Sequence, residues 1–514
     1  ECAGLEMATT AVPVDVSPYK QHNDDTTRKG ADASTVNIRF VTPPVTPILL
    51  HRPRGSFKAE PHANLSCPAP GAPLSGLQAH PVSPEDEEEV LIRLEVIEHG
   101  IMAPSDTDAN RAALHALYDL WDATASSDPS CAAVASLRMA LSLLTRLAAA
   151  PEPAVAREAA CNILSNVCSV PEGALAVLHQ PGAVPALVSA VELLQKQPGF
   201  FGRERAPEDA GAGTAALKAL GNLLVYDAED GVQAMAECNG FRAACRAVSG
   251  CSDCPDAREA ACGVVAGACA AAGGEEVLLS LGVEKSLLVL LLGEGKTVKE
   301  TLRAAGDGAA GPAPASPVQM AALRALRALS GCPNARTRLQ VETSKGGERG
   351  LRVLLSLVRS DSPDAVRDAA SVACNLSQHR RGQEAAARAG LVPALAQVLN
   401  VSVFQPREWQ APVYCCGALA NVAASERGAH TVLTAQAHLP LVGLLHSSHE
   451  ATQKAAALAL GNIASHPLGR DTLNESTSCL AYAAALLNPE RSSSSPQLAL
   501  AAAALLRSLT AAPS

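Results

Sequence analysis

The chain is poor in aromatic residues: six Phe, five Tyr and two Trp among 514 residues, or 3%. Its core cannot lean on large rings, so Ala, Leu and Val must fill it, within a hydrophobic fraction of 48%. Small aliphatic side chains suit closely packed helices and suit a sheet poorly. Basic side chains are also in deficit, 41 Lys+Arg against 51 Asp+Glu, for a formal net charge of −10. That balance argues against a nucleic-acid binder, which shows a basic face. Long apolar runs are missing: the best stretch, Ser286 to Leu292, is far short of the ~20 residues that span a bilayer. No membrane insertion is expected, and no signal-peptide pattern opens the chain. The first residue is Glu rather than Met, which leaves the true N-terminus open.

Cysteine is plentiful, with sixteen in all. Cys161 and Cys168 occupy the same helix slots as Cys262 and Cys269, one hundred and one residues later. Repeated placement of this kind marks core positions, since Cys packs like a small hydrophobe. Disulfides are not required, and a reducing, cytoplasmic location is the default expectation, with ciliary or nuclear placement compatible.

What is present above all is repetition. ALGNIA, Ala459 to Ala464, is echoed by ILSNVC, ALGNLL, VACNLS and ALANVA, each late in a segment with apolar residues three or four apart. Aligning them puts Asn166, Asn222, Asn375, Asn421 and Asn462 in one slot, which Asp119, Gly267, Ala328 and Ser508 occupy in degenerate copies. The steps between slots are 47, 56, 45, 61, 47, 46, 41 and 46 residues, a period of helical solenoids. A second signature, GAVPALVSAVELL from Gly182, returns as GLVPALAQVL from Gly390 and HLPLVGLL from His438. The prolines at 185, 393 and 440 share one position in a helix's first turn, where Pro is tolerated.

The pattern Gly-x-x-Pro-x-Leu-x-x-Leu-Leu followed by Ala-Ala-x-Ala-Leu-x-Asn-Ile resembles armadillo repeats, the three-helix units of β-catenin and importin-α. The resemblance implies an all-α, right-handed α-solenoid of about nine repeats over residues 85–510. Expected boundaries are 85–128, 129–180, 181–238, 239–281, 282–342, 343–389, 390–436 and 437–475, with 476–510 as an incomplete, capping copy. Residues 1–84, with twelve prolines and no periodic apolar face, are expected to be a disordered arm whose sole apolar island is Arg39 to Leu50. Inserts are expected near 198–213, 306–317 and 401–410.

The resemblance also implies a function: a non-catalytic scaffold or adaptor that takes an extended peptide or a helix of another protein in a groove. Other armadillo proteins regulate NTPases, as Hsp70 co-chaperones or small-GTPase exchange factors, or build cilia and axonemes. In armadillo proteins the Asn slot faces the groove, so Asn166, Asn222, Asn375, Asn421 and Asn462 are expected to line it. The unbroken trio, Asn375 to Asn462, would be the main surface, with Trp409 and Tyr414 as aromatic anchors. Positions four and eight residues before the slot add Glu158, Lys218, Glu259, Arg324, Arg367 and Lys454, more acidic in the first half and more basic in the second. In importin-α-like receptors a Trp stands four residues before the Asn; here Asn162, Lys218, Ser371, Gly417 and Leu458 stand there.

Other motifs carry less. CSDC, Cys251 to Cys254, has zinc-ligand spacing, but Cys262 and Cys269 nearby belong to core slots and no His lies between His179 and His379. LLVLLLGEGKT, Leu287 to Thr297, lacks the first Gly of a phosphate-binding loop. No catalytic arrangement, metal site or cofactor is expected, and the oligomeric state is open.

Overall fold

The computed structural model describes residues 82–102, 107–150, 153–195, 207–251, 253–292, 315–345, 349–404, 410–475, 478–488 and 495–511. The expected arm falls outside these residues except for its last three, as do Trp409, Ser252, most of the expected inserts 198–213 and 306–317, and half of 401–410. Among the described residues there are 26 helices and no strand. Two helices, Pro84–Met102 and Thr107–Ser126, come first, and the other helices fall into eight sets of three.

Each set ends on the helix that carries the slot. In order these third helices are Ala154–Val167, Pro207–Tyr226, Pro255–Ala268, Pro317–Gly331, Pro363–Leu376, Gln410–Ala423, Glu450–Ala464 and Pro496–Thr510. Two expectations change. The last set, Pro467–Glu475, Ser478–Ala485 and Pro496–Thr510, is complete rather than a partial cap. The expected boundaries at 180, 238, 281, 389, 436 and 475 each fall one short helix too late. The inserts also shrink, because Pro207–Tyr226 begins inside one and Leu391–Phe404 reaches into another.

The chain divides into two compact units, one with the described residues up to Leu292 plus Ser316–Arg338, the other with Leu339 onward. Within each unit every third helix packs on the third helix before and after it. Such a helix is covered on nearly all sides, and Gln410–Ala423 is buried from Ala411 to Ala423. Helices about 8–10 Å apart leave room for small side chains only, which is why Ala, Gly and Cys take the positions that aromatics would fill in a looser core.

Local chemistry sets where helices begin and end. Ser316 and Gln319 form a reciprocal capping box with Pro317 in the first turn, and Ser127, Asp227, Ser362 and Ser425 accept from backbone N–H groups in the same way. Five turns between the first and second helix of a set pass through the left-handed region. Gly occupies three of them, Gly182, Gly282 and Gly390, while Asn239 and Gln436 hold the others, with φ of 59° and 55°. Gly takes this conformation freely, whereas an unbranched L residue gives up about 1 kcal/mol. Gln436→Gly is therefore expected to stabilise its unit by about 1 kcal/mol in urea denaturation; an unchanged or lower midpoint would contradict this.

A second glycine position went unread in the sequence. Gly173, Gly274, Gly428 and Gly469 each follow the slot by seven residues, in the first helix of the next set. A Cβ on any of them would stand 1.9–2.1 Å from a carbonyl oxygen of the residue after the slot: Val167, Ala268, Val422 or Ile463. These glycines let the next set start hard against the end of the slot helix.

Candidate functional site

The five slot asparagines are buried, with exposures of 0–6%. The amides of Asn166, Asn421 and Asn462 look backward along the stack. Asn166 Nδ2 donates to Thr124 Oγ1 at 3.2 Å. Asn421 Nδ2 donates to the Cys374 carbonyl at 3.1 Å and to Ser377 Oγ at 3.3 Å, and Asn462 Nδ2 to the Ala420 carbonyl at 2.8 Å. The last two carbonyls belong to the residue just before the preceding slot, so the bond is a repeating rung between third helices. The expected groove lining is thereby corrected: the Asn amides lie in the seams, and the trio Asn375, Asn421 and Asn462 offers no exposed row. Tyr414 is buried as well, so it anchors the helix rather than a partner.

A second rung lies four residues past the slot. Tyr226 Oη donates to the Ser169 carbonyl at 2.8 Å, and His466 Nε2 lies 3.1 Å from the Ala423 carbonyl. Both bonds satisfy carbonyls that the end of a helix leaves without intrahelical partners.

The charged positions before the slot behave as their spacing implies. Glu158, Lys218, Glu259, Arg324, Arg367 and Lys454 are all half-buried on third helices. Two of the basic ones are already engaged. Arg367 pairs with Asp364 at 2.7 Å and Asp368 at 3.0 Å. Lys454 Nζ donates to Gln497 Oε1 at 2.6 Å, and burial holds its pKa below the usual lysine value.

The open feature of this face is in the first unit. A groove of about 420 Å³ runs over Trp121, Glu158, Asn162, Gly211, Lys218 and the turn Asp253–Asp256, touching four helices that the stack brings into line. Tyr118 and Trp121 stack at its edge, ring centroids 6.0 Å apart and planes 25° apart. Glu158 lies against Gly211, where a Cβ would come within 1.9 Å of its Oε1; glycine makes the space in which that carboxylate sits. Burial and the nearby Glu208 push the Glu158 pKa upward, and burial with the same two carboxylates raises that of Tyr118. Asn162, 9% exposed, lines the groove and donates Nδ2 to the Glu158 carbonyl at 3.0 Å. Glu158, Asp253 and Asp256 outnumber the single Lys218 in the groove lining, so the groove attracts cations. Of this set only Glu158 and Lys218 were expected from helix spacing; Tyr118, Trp121 and the aspartates stand off the four- and eight-residue spacings from their slots.

The CSDC motif contributes to that groove rather than to a metal centre. Cys254 and Asp253 line it while Cys251 is buried, and among the described residues no group of three or more His, Cys, Asp or Glu is positioned to hold a metal ion. Burial pushes the Cys161 and Cys262 thiols up to about 12, as their core slots imply. No single described helix is long and apolar enough to cross a membrane.

The armadillo/β-catenin-like repeat family matches residues 431–465, a segment that closes with the third helix Glu450–Ala464 and its slot Asn462. That segment carries the armadillo sequence pattern, and the fold is an armadillo-like solenoid. Among solved structures, this chain is similar to an engineered protein at a TM-score of 0.57 and 19% identity, over 83% of this chain and 100% of that one; at that identity the likeness is one of fold. A designed armadillo repeat protein in complex with the peptide (KR)4 matches more loosely, at a TM-score of 0.39 and 17% identity, over 63% of this chain and 99% of that one. No curated protein matches this chain in sequence.

Proposed function

We propose that this armadillo-like solenoid is a non-catalytic scaffold that binds an extended partner segment across the third helices of its first unit. The observation that carries the reading is the groove in which stacked Tyr118 and Trp121 face the carboxylates of Glu158, Asp253 and Asp256. An aromatic face and carboxylates together suit a Lys or Arg side chain, through cation–π attraction and charge-assisted hydrogen bonds. The partner is therefore a segment with basic side chains. The Asn row supports this indirectly, by fixing the spacing of the helices that carry the groove.

A fluorescein-labelled (KR)4 peptide, titrated into the full chain and followed by polarisation, tests the reading against an acidic control peptide. Specific binding should quench Trp121 fluorescence, weaken with salt, and fall at least about tenfold in Glu158→Gln/Asp256→Asn, at about 1.5 kcal/mol or more for lost charged hydrogen bonds. Protonation of Glu158 removes its charge, and its raised pKa brings that loss to a higher pH than for an ordinary carboxylate. Affinity should thus decline as pH falls, beginning above the usual Glu range, and this decline should vanish in the Gln variant. Equal binding of basic and acidic peptides, or an unaffected double variant, would remove the groove from the account.

A further inference from the structure

Fourteen described cysteines are free, and most are sealed inside helix seams. Cys238, Cys254, Cys269 and Cys332 keep exposed surface, and two of these, Cys269 and Cys332, meet at the ends of the neighbouring third helices Pro255–Ala268 and Pro317–Gly331. Cys332 Sγ stands 3.8 Å from the Cys269 carbonyl oxygen. The neighbouring Cys332 thiol, together with burial, holds the Cys269 thiol well above its ordinary pKa. Cys269 therefore keeps its proton at neutral pH.

The seam they share is an unusual one. Its slots hold Gly267 and Ala328, so the Asn rung is missing on both helices. The second rung is weak as well: Cys332 sits four residues past its slot, where Tyr226 and His466 make bonds of 2.8 and 3.1 Å, but a thiol is a poor donor and its contact is 3.8 Å. At these helix ends a sulfur pair stands where other repeats have strong hydrogen bonds.

The geometry points to an oxidative modification site: Cys269 and Cys332 form a disulfide across this seam when the protein meets a hydroperoxide. The Cys332 thiol ionises and its sulfur attacks one peroxide oxygen, breaking the O–O bond and giving a sulfenic acid while hydroxide takes up the released proton. The Cys269 thiol then displaces the sulfenic hydroxyl, the S–S bond forms and water leaves. Two thiols and one hydrogen peroxide become one disulfide and two waters; the sulfurs are oxidised and the peroxide is reduced. The bond joins residues 63 apart, so it restrains a long loop of the unfolded chain and supplies covalently the tie that the missing Asn would have made.

The test uses the full chain. After mild hydrogen peroxide treatment, the protein is denatured, its free thiols are alkylated with iodoacetamide, and its peptides are mapped by mass spectrometry. The expected result is a cross-linked peptide joining Cys269 to Cys332, lighter by two hydrogens than its parts, with the buried cysteines alkylated. The oxidised protein should melt at least about 5 °C above the reduced one, and dithiothreitol should reverse the shift. Cys269→Ser and Cys332→Ser, checked for folding by circular dichroism, should lose both the linked peptide and the shift. The peptide map of the unaltered chain decides even if a variant folds poorly. Recovery of both cysteines alkylated or overoxidised, a link to any other cysteine, or an oxidised protein that melts no higher would each overturn the proposal.

Discussion

Replacing Asn421 and Asn462 together by Ala is expected to destabilise the second unit by roughly 1–5 kcal/mol while leaving its helicity unchanged at room temperature. The Asn421 amide joins the Cys374 carbonyl and Ser377 Oγ, and the Asn462 amide joins the Ala420 carbonyl, all in buried seams. Removing each donor leaves a buried acceptor with no water to replace it, at about 1–3 kcal/mol per site. Ala recovers only about half a kcal/mol per residue through its better helix propensity, so the loss wins. Neighbouring slots share the Gln410–Ala423 helix, and the two effects need not add. Urea denaturation followed by circular dichroism measures the change. If the amides served a partner and nothing else, the same substitutions would leave the midpoint unchanged or raise it, and that outcome would return the row to the binding surface.

Gly428→Ala is expected to be the most damaging single methyl in the second unit, at about 3 kcal/mol. Its Cβ would stand 1.9 Å from the Val422 carbonyl oxygen and 2.9 Å from Ser425 Oγ. The obstacle is backbone, so relief requires the helix Glu426–Thr434 to pull away from the end of Gln410–Ala423. Gly461→Ala is the matched control: the nearest atom to its Cβ is Leu505 Cα at 3.7 Å, an ordinary contact. It lies in the interior of Glu450–Ala464, where Ala is favoured over Gly by up to about 1 kcal/mol. The two changes should thus move the unfolding midpoint in opposite directions. Midpoints that moved together would mean that the slot helix and the next set are less tightly apposed than these distances imply.

Gly428 and Gly461 look alike in the sequence, and that contrast marks where sequence reasoning ends. The period of the slot was legible because a helix exposes its packing as spacing: apolar residues three or four apart, Pro in a first turn, and one slot, Asn in five of nine copies, returning every 41 to 61 residues. The all-helical fold, the third-helix positions of eight of the nine slots and the core placement of Cys161, Cys168 and Cys262 follow from that local code.

What the code could not carry is which side of a third helix faces open space once its neighbours are stacked on it. Asn421 and Tyr414 sit seven residues apart on one helix, and either reads as a groove residue until adjacent helices close over both. The groove itself is assembled from Trp121, Glu158, Lys218 and Asp256, residues from four helices and more than one repeat, with no common spacing to betray them. Their proximity is a product of the rise from one repeat to the next, which depends on how closely small residues such as Gly211, Gly173 and Gly428 let backbones approach. Sequence periodicity determined the helices and their order; contact distances between backbones, which no single helix contains, decided where amides are sealed and where charge is left open.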